Sequence, residues 1–197
     1  MSCQGRLHSA AALPLFLALL IIPILAQQKG EPGAKLAPTP APAVPGFDER
    51  VKEYIKLRER LEGKLPKLPP DSEPAKIDAH QAALAAKIKE ARAGTRPGEI
   101  FSPPVAKHFR EVVRGEYQGE KLKELRGKVR EADTKGVPLR VNTAYPETKE
   151  SIDMPPTLLL ALPQLPKQLR YRFVGRNLLL VDREARLIID YMPDAVP

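Results

Sequence analysis

Thiol chemistry is almost missing from this chain. Its one cysteine, Cys3, sits inside an N-terminal run that reads as a removable leader. Everything after that leader therefore lacks a disulfide, a cysteine nucleophile and a thiolate metal ligand. Serine is nearly as scarce: beyond the leader only Ser72, Ser102 and Ser151 remain. None stands in a GxSxG, SxxK or HxxxD grouping, so serine hydrolase chemistry has no support. Histidine is limited to His80 and His108 past the leader, with no HExxH and no second histidine at ligand spacing. A zinc site is not expected from that pattern. Glycine-rich phosphate loops and internal repeats are absent too, and no cofactor is expected.

What is present begins with an export signal. Arg6 is the only charged residue before an uncharged run, Ala10 to Ala26, that ends at Gln27-Gln28-Lys29-Gly30. A positive start, an apolar stretch and a small exit residue form a secretory signal, with cleavage expected after Ala26. Ile24 is larger than the small residue preferred three places before the cut. The rival reading is an uncleaved anchor, but a bilayer span needs about 20 apolar residues. This run is slightly short and contains Pro14 and Pro23. The expected location is periplasmic or secreted, with an N-terminally anchored form as the alternative.

Without the leader the chain holds 31 basic and 24 acidic residues. The surplus lies in residues 47–136, with 21 basic against 16 acidic, while 137–197 is nearly balanced. Acidic residues interrupt the basic ones throughout, which describes solvated helices better than a polyanion-binding block.

Residues 27–46, QQKGEPGAKLAPTPAPAVPG, are rich in proline and alanine and read as an extended tether. A single domain is expected over 47–197, helical over 47–136 and mainly β over 137–197. Phe47, Val51, Tyr54, Ile55 and Leu61 recur at helical spacing in a first helix, which Gly63 and Pro66 stop. A second helix is expected after Asp71-Ser72, a capping pair followed by Pro74. Ile77, Leu84, Ile88 and Ala91 would be its buried stripe. A third starts after Ser102 as cap, uses Val105, Phe109, Val112 and Val113, and closes at Gly115. A fourth runs from about Gly119 to Ala132 over Leu122, Leu125 and Val129. Each stripe is narrow, so the helices need one another or a sheet.

The β part opens with a possible strand over Val137–Asn142. Thr157 to Leu162 reads as a short helix packed inward. Three strands follow at Leu169–Val174, Asn177–Asp182 and Leu187–Met192, joined by Gly175-Arg176 and by residues 183–186. Pairing Val174 with Asn177 and Asp182 with Leu187 defines the faces. Leu169, Tyr171, Phe173, Leu178, Leu180, Leu187, Ile189 and Tyr191 share an apolar one. Arg170, Arg172, Val174, Leu179, Val181, Ile188 and Asp190 share a half-polar one, with Arg172, Leu179 and Asp190 in one row. The fold class is α+β: an N-terminal helical layer packed on a small C-terminal antiparallel β-meander.

Among exposed groups, Arg170, Arg172 and Arg176 stand out. Two share a face and the third lies at the turn, and planar guanidinium forks suit carboxylate or phosphate. The plainer account is that they pair with Asp190 and Glu184 across the polar face. The aromatics beside them point to the core, which argues against nucleic acid. The carboxylate pairs Asp48-Glu49 and Asp182 with Glu184 read as solvated positions at a helix start and a turn. His80 borders its helix stripe and His108 its helix flank, both as packed residues.

The segments LPQLPKQLRYRFVGRNLLLVDREARLIIDYMPDAVP, FDERVKEYIKLRERLEGKLP and GEIFSPPVAKHFREVV resemble a family of bacterial exported proteins of unknown function. That resemblance spans most of the chain past the leader and implies an envelope location, without bringing catalytic or ligand residues. The hairpin YRFVGRNLLLVDREARLIIDYM also resembles short β-units of small periplasmic domains. The expected function is a non-catalytic binding or structural module of the envelope. Its partner would be an envelope protein, an anionic polymer or an anionic lipid surface. The alternative is an envelope hydrolase whose carboxylates meet only in the fold.

Overall fold

Local chemistry at Gly46 starts the first helix. The computed structural model describes residues 44, 46–131, 136–146 and 154–197. The expected leader over 1–26, residues 27–43 and 45 of the tether expected over 27–46, and Ser151 lie outside the described residues. Helix α1 spans Phe47–Glu62, entered through Gly46 at φ 85°, a conformation glycine adopts without strain. Glu49 Oε2 accepts the Gly46 N–H at 2.7 Å, and Asp48 Oδ2 accepts the Val44 N–H at 3.2 Å. Val44 is itself buried in the core, so packing begins just ahead of Phe47.

Helix α2 spans Pro74–Ala91, with proline at a first-turn position where its missing N–H costs nothing. Ser72 does not cap it. Its Oγ donates to Pro69 O at 2.7 Å, and Glu73 stands at the cap position without a side-chain bond. The buried stripe is Leu84 and Ile88 only; Ile77 and Ala91 are exposed. Helix α3 spans Pro103–Glu116 and continues through Gly115. Ser102 precedes it, but through its carbonyl, which accepts the Ala106 N–H at 2.8 Å, rather than its hydroxyl. Helix α4 spans Gly119–Glu131 and buries Leu125 and Val129. Helix α5 is a single short piece, Pro156–Ala161, that buries Leu158 and leaves Leu159 and Leu160 exposed.

Strands β1 (Leu169–Val174), β2 (Asn177–Asp182) and β3 (Leu187–Met192) form an antiparallel meander in chain order. The first hairpin has the register expected from its turn, Val174 opposite Asn177 through Leu169 opposite Asp182. The second hairpin departs from it. Asp182 faces Leu187 and Val181 faces Ile188, but Leu180 then faces Asp190 and Leu178 faces Met192. Ile189 is the extra residue of a β-bulge and keeps its place in the helix-side core, but Asp190, Tyr191 and Met192 after it change face relative to a regular ladder. Met192 therefore joins Leu178 on the helix-side core, and Tyr191 packs with Leu179 on the other side. Asp190 leaves the row with Arg172 and Leu179 that a regular ladder would give it.

The helix side of the sheet meets α1, α3 and the α2–α3 loop over a cluster of rings. Phe47, Phe101, Phe109 and Tyr171 lie 5.0 to 6.4 Å apart by centroid. Phe173 is fully buried beneath them, a contribution of roughly 1.5–3 kcal/mol for such a side chain. The opposite face is covered as well. Val137 and Tyr145 pack on Val174, Leu179, Val181 and Ile188 in a second, smaller core. The expected strand over Val137–Asn142 does not form. Pro138 lacks a donor and Asn142 turns the chain at φ 61°, and the segment meets residues 186–188 further on, through three backbone hydrogen bonds of 2.8 to 2.9 Å around the bridge of Ala144 to Leu187.

Candidate functional sites

Charged side chains gather on several concave surfaces among the described residues, and two of these draw their charges from distant elements. The first is built where α1 and α2 meet the β2–β3 turn. On α1, Tyr54, Arg58 and Glu62 follow one another at four-residue steps, so they share one stripe of the helix. That stripe carries Arg58 inward until its side chain is only 2% exposed. Its Nε donates to Asp182 Oδ2 at 3.0 Å, one terminal nitrogen donates to Glu62 Oε2 at 2.5 Å, and the other to Glu184 Oε2. Burial alone would lower the affinity of this guanidinium for its proton, but Asp182, Glu62 and Glu184 outweigh it and hold it higher.

Asp182 is fully buried and its acceptor sites are used. Oδ2 also takes the Tyr54 hydroxyl at 2.8 Å, and Oδ1 takes the N–H groups of Glu184 and Ala185 at 3.0 and 2.8 Å. Those two bonds make Asp182 the organiser of the turn, which explains how residues 183–186 reverse the chain without glycine. Burial and the neighbouring Asp182 push the Tyr54 hydroxyl well above its ordinary range. Asp182 and Glu184 are thus not solvated turn residues, because the turn folds against α1 rather than into water.

His80 reaches the same place from α2. Its side chain is 10% exposed and its Nε2 lies 4.0 Å from Glu184 Oε1. Glu62, His80 and Glu184 line a cavity of about 580 Å³, and one ligand atom from each lies within 4.8 Å of the others. His108 belongs to no such group; its ring meets Phe109 edge-on at 6.3 Å.

The second place lies where α4 passes the β1–β2 turn. Lys123, Arg126 and Arg130 occupy one side of α4 and, with Arg176, line a cavity of about 710 Å³ whose apolar wall includes Val129 and Val196. Arg176 is steered there by the C-terminal tail. Its Nε donates to Val196 O at 3.1 Å, a terminal nitrogen lies 3.5 Å from Asp194, and its carbonyl accepts the N–H of Ala195 at 2.7 Å. Arg126 Nε donates to Pro197 O at 2.7 Å.

This placement separates the three arginines of the hairpin. Arg170 stacks over Tyr145 at 6.0 Å, on the face covered by residues 136–146, and Arg172 shares that strand face. Arg176 instead turns to Val196, which belongs to the helix-side core. The pairing of Arg176 with Asp190 or Glu184 does not occur, because both acids have other partners. Asp190 accepts backbone N–H groups from Gly98, Ile100, Phe101 and Tyr191 at 2.7 to 2.8 Å, clamping the α2–α3 loop to the bulge. Burial pushes its carboxyl upward, against the opposing pull of these donors.

Arg58 was the residue most easily missed, since arginine counts as a polar position. Its signal was its place four residues after Tyr54 and seven after Val51, on the apolar stripe. No protein-family model matches this chain, and neither a curated protein nor a solved structure is found to be similar to it.

Proposed function

We propose that the protein acts outside the cytoplasm as a non-catalytic binding module that takes a phosphate-bearing anion into the basic cavity beside α4. The observation that carries this reading is the convergence of Lys123, Arg126, Arg130 and Arg176 on one concavity. Guanidinium groups offer planar forks to phosphate oxygens, and the apolar wall at Val129 and Val196 suits the non-polar part of a ligand. The leader-like run Ala10 to Ala26 supports export.

The test compares inorganic polyphosphate with vesicles of anionic phospholipid, at two salt concentrations. Binding should weaken as salt rises, because exposed charges are screened over roughly 8 Å at physiological ionic strength. A variant with glutamine at 123, 126, 130 and 176 should lose binding. Replacing Arg170 and Arg172 instead should leave it unchanged. Preference for vesicles or for polyphosphate identifies the source of the phosphate. Equal binding by the fourfold variant and wild type would refute the reading.

One observation favours the alternative, a hydrolase working with carboxylates: Glu62 and Glu184 do meet beside His80 at a cavity. Against it, Arg58 is bonded to both carboxylates at once, so one oxygen of each is already taken by the guanidinium.

A further inference from the structure

The cavity where α1 and α2 meet the β2–β3 turn has a charge that its own residues do not balance. Arg58 supplies one positive charge to three carboxylates, those of Asp182, Glu62 and Glu184. Glu59 and Lys67 on the rim are exposed and offset each other. Three carboxylates against one guanidinium leave a formal excess of two negative charges around His80. His80 is nine-tenths buried, makes no hydrogen bond among the described residues, and directs Nε2 toward Glu184 Oε1 at 4.0 Å.

We infer that Glu62, His80 and Glu184 form a binding site for a divalent transition-metal ion of the zinc type. The donor set of one imidazole nitrogen and two carboxylate oxygens suits such an ion, and calcium or magnesium would favour oxygen donors alone. Arg58 engages Oε2 of each glutamate, leaving Oε1 of Glu184 turned to His80. It therefore acts as an outer partner that orients the carboxylates, as hydrogen-bonded groups around metal ligands commonly do. The donor atoms lie within 4.8 Å of one another, somewhat wider than ligands held at about 2.0–2.2 Å from a shared ion. A small inward movement of the two glutamates, each more than a third exposed and held by Arg58 through Oε2, closes the set. The ion matches the excess charge and gives His80 a partner.

The experiment uses protein purified from cells expressing the full chain, stripped with chelator and titrated with zinc chloride alone. One zinc ion per chain should bind and raise the melting temperature, and cobalt in its place should give visible absorption bands. His80→Gln should melt like the stripped wild type and lose affinity by at least the roughly 10- to 100-fold that removal of an outer partner costs. Glu184→Gln should behave similarly in zinc affinity. His108→Gln should bind as wild type. The inference is overturned if His80→Gln binds zinc as tightly as wild type, if His108→Gln loses binding equally, or if wild type takes up no zinc at millimolar concentration. The basic-cavity reading is untouched by any of these results, since the two cavities share no residue.

Discussion

Replacing Arg58 by methionine isolates its buried ion pair with Asp182. Methionine keeps much of the side-chain volume and removes the charge. Asp182, fully buried, is then left without its guanidinium. Breaking a buried ion pair from one side costs about 3–5 kcal/mol. Asp182 keeps the Tyr54 hydroxyl and two backbone N–H donors, which places the loss near the lower end of that range. Glu62 and Glu184 are 37% and 35% exposed and regain water, so they add no more than about 1 kcal/mol between them. The sum is about 3–4 kcal/mol, or a fall in melting temperature of roughly 6–16 °C for a domain of this size. Urea denaturation followed by circular dichroism should show the midpoint falling with an unchanged slope. Asp182→Asn in the same background removes the stranded charge, so the double variant should lose less than the two single losses together. An Arg58→Met loss below about 1 kcal/mol, or strict additivity, would show that Asp182 does not depend on Arg58.

Asp190→Asn should destabilise by about 1.5–3 kcal/mol despite its matching shape, because an amide nitrogen would face backbone donors now bonded to a carboxylate oxygen. The raised Asp190 carboxyl binds its proton more readily in the fold than in the unfolded chain. Its pH-linked stabilisation is therefore fully present below the ordinary aspartate value of about 3.9 and is lost as pH rises through the folded value. Urea melts across that window should show this decline in wild type and its absence in Asp190→Asn. Phe173→Ala should cost roughly 3–5 kcal/mol, since the ring is fully buried, and Arg170→Ala about 0.5–1 kcal/mol for its contact with Tyr145; calorimetry giving the reverse order would place the faces of β1 backwards. Cells expressing the full chain should release a product beginning at Gln27, and mass spectrometry finding Met1 or Arg6 retained would favour an anchored form.

The limits of β1, β2 and β3, the start of α4 at Gly119 and the α+β class follow from the sequence alone. They depend on local causes: apolar period, proline at helix starts and glycine at the first hairpin turn. Phe47, Val51, Phe109 and Leu84 were legible as core for the same reason, because helical spacing puts them on one face. The bulge at Ile189 was not. Whether β3 stays in regular register depends on what lies across from it, and Asp190 is drawn to the donors of Gly98, Ile100 and Phe101, some ninety residues away in the chain. The candidate sites divide along the same line. Arg176 was visible as an exposed turn arginine, but its α4 partners were not, since nothing local joins residue 176 to residues 123–130. Asp182 and Glu184 read as turn residues in water until α1 covered them with Arg58. Periodicity measures what one element wants to bury. Which charges end up buried together is decided only when distant elements meet, because there the loss of water must be matched by a specific partner.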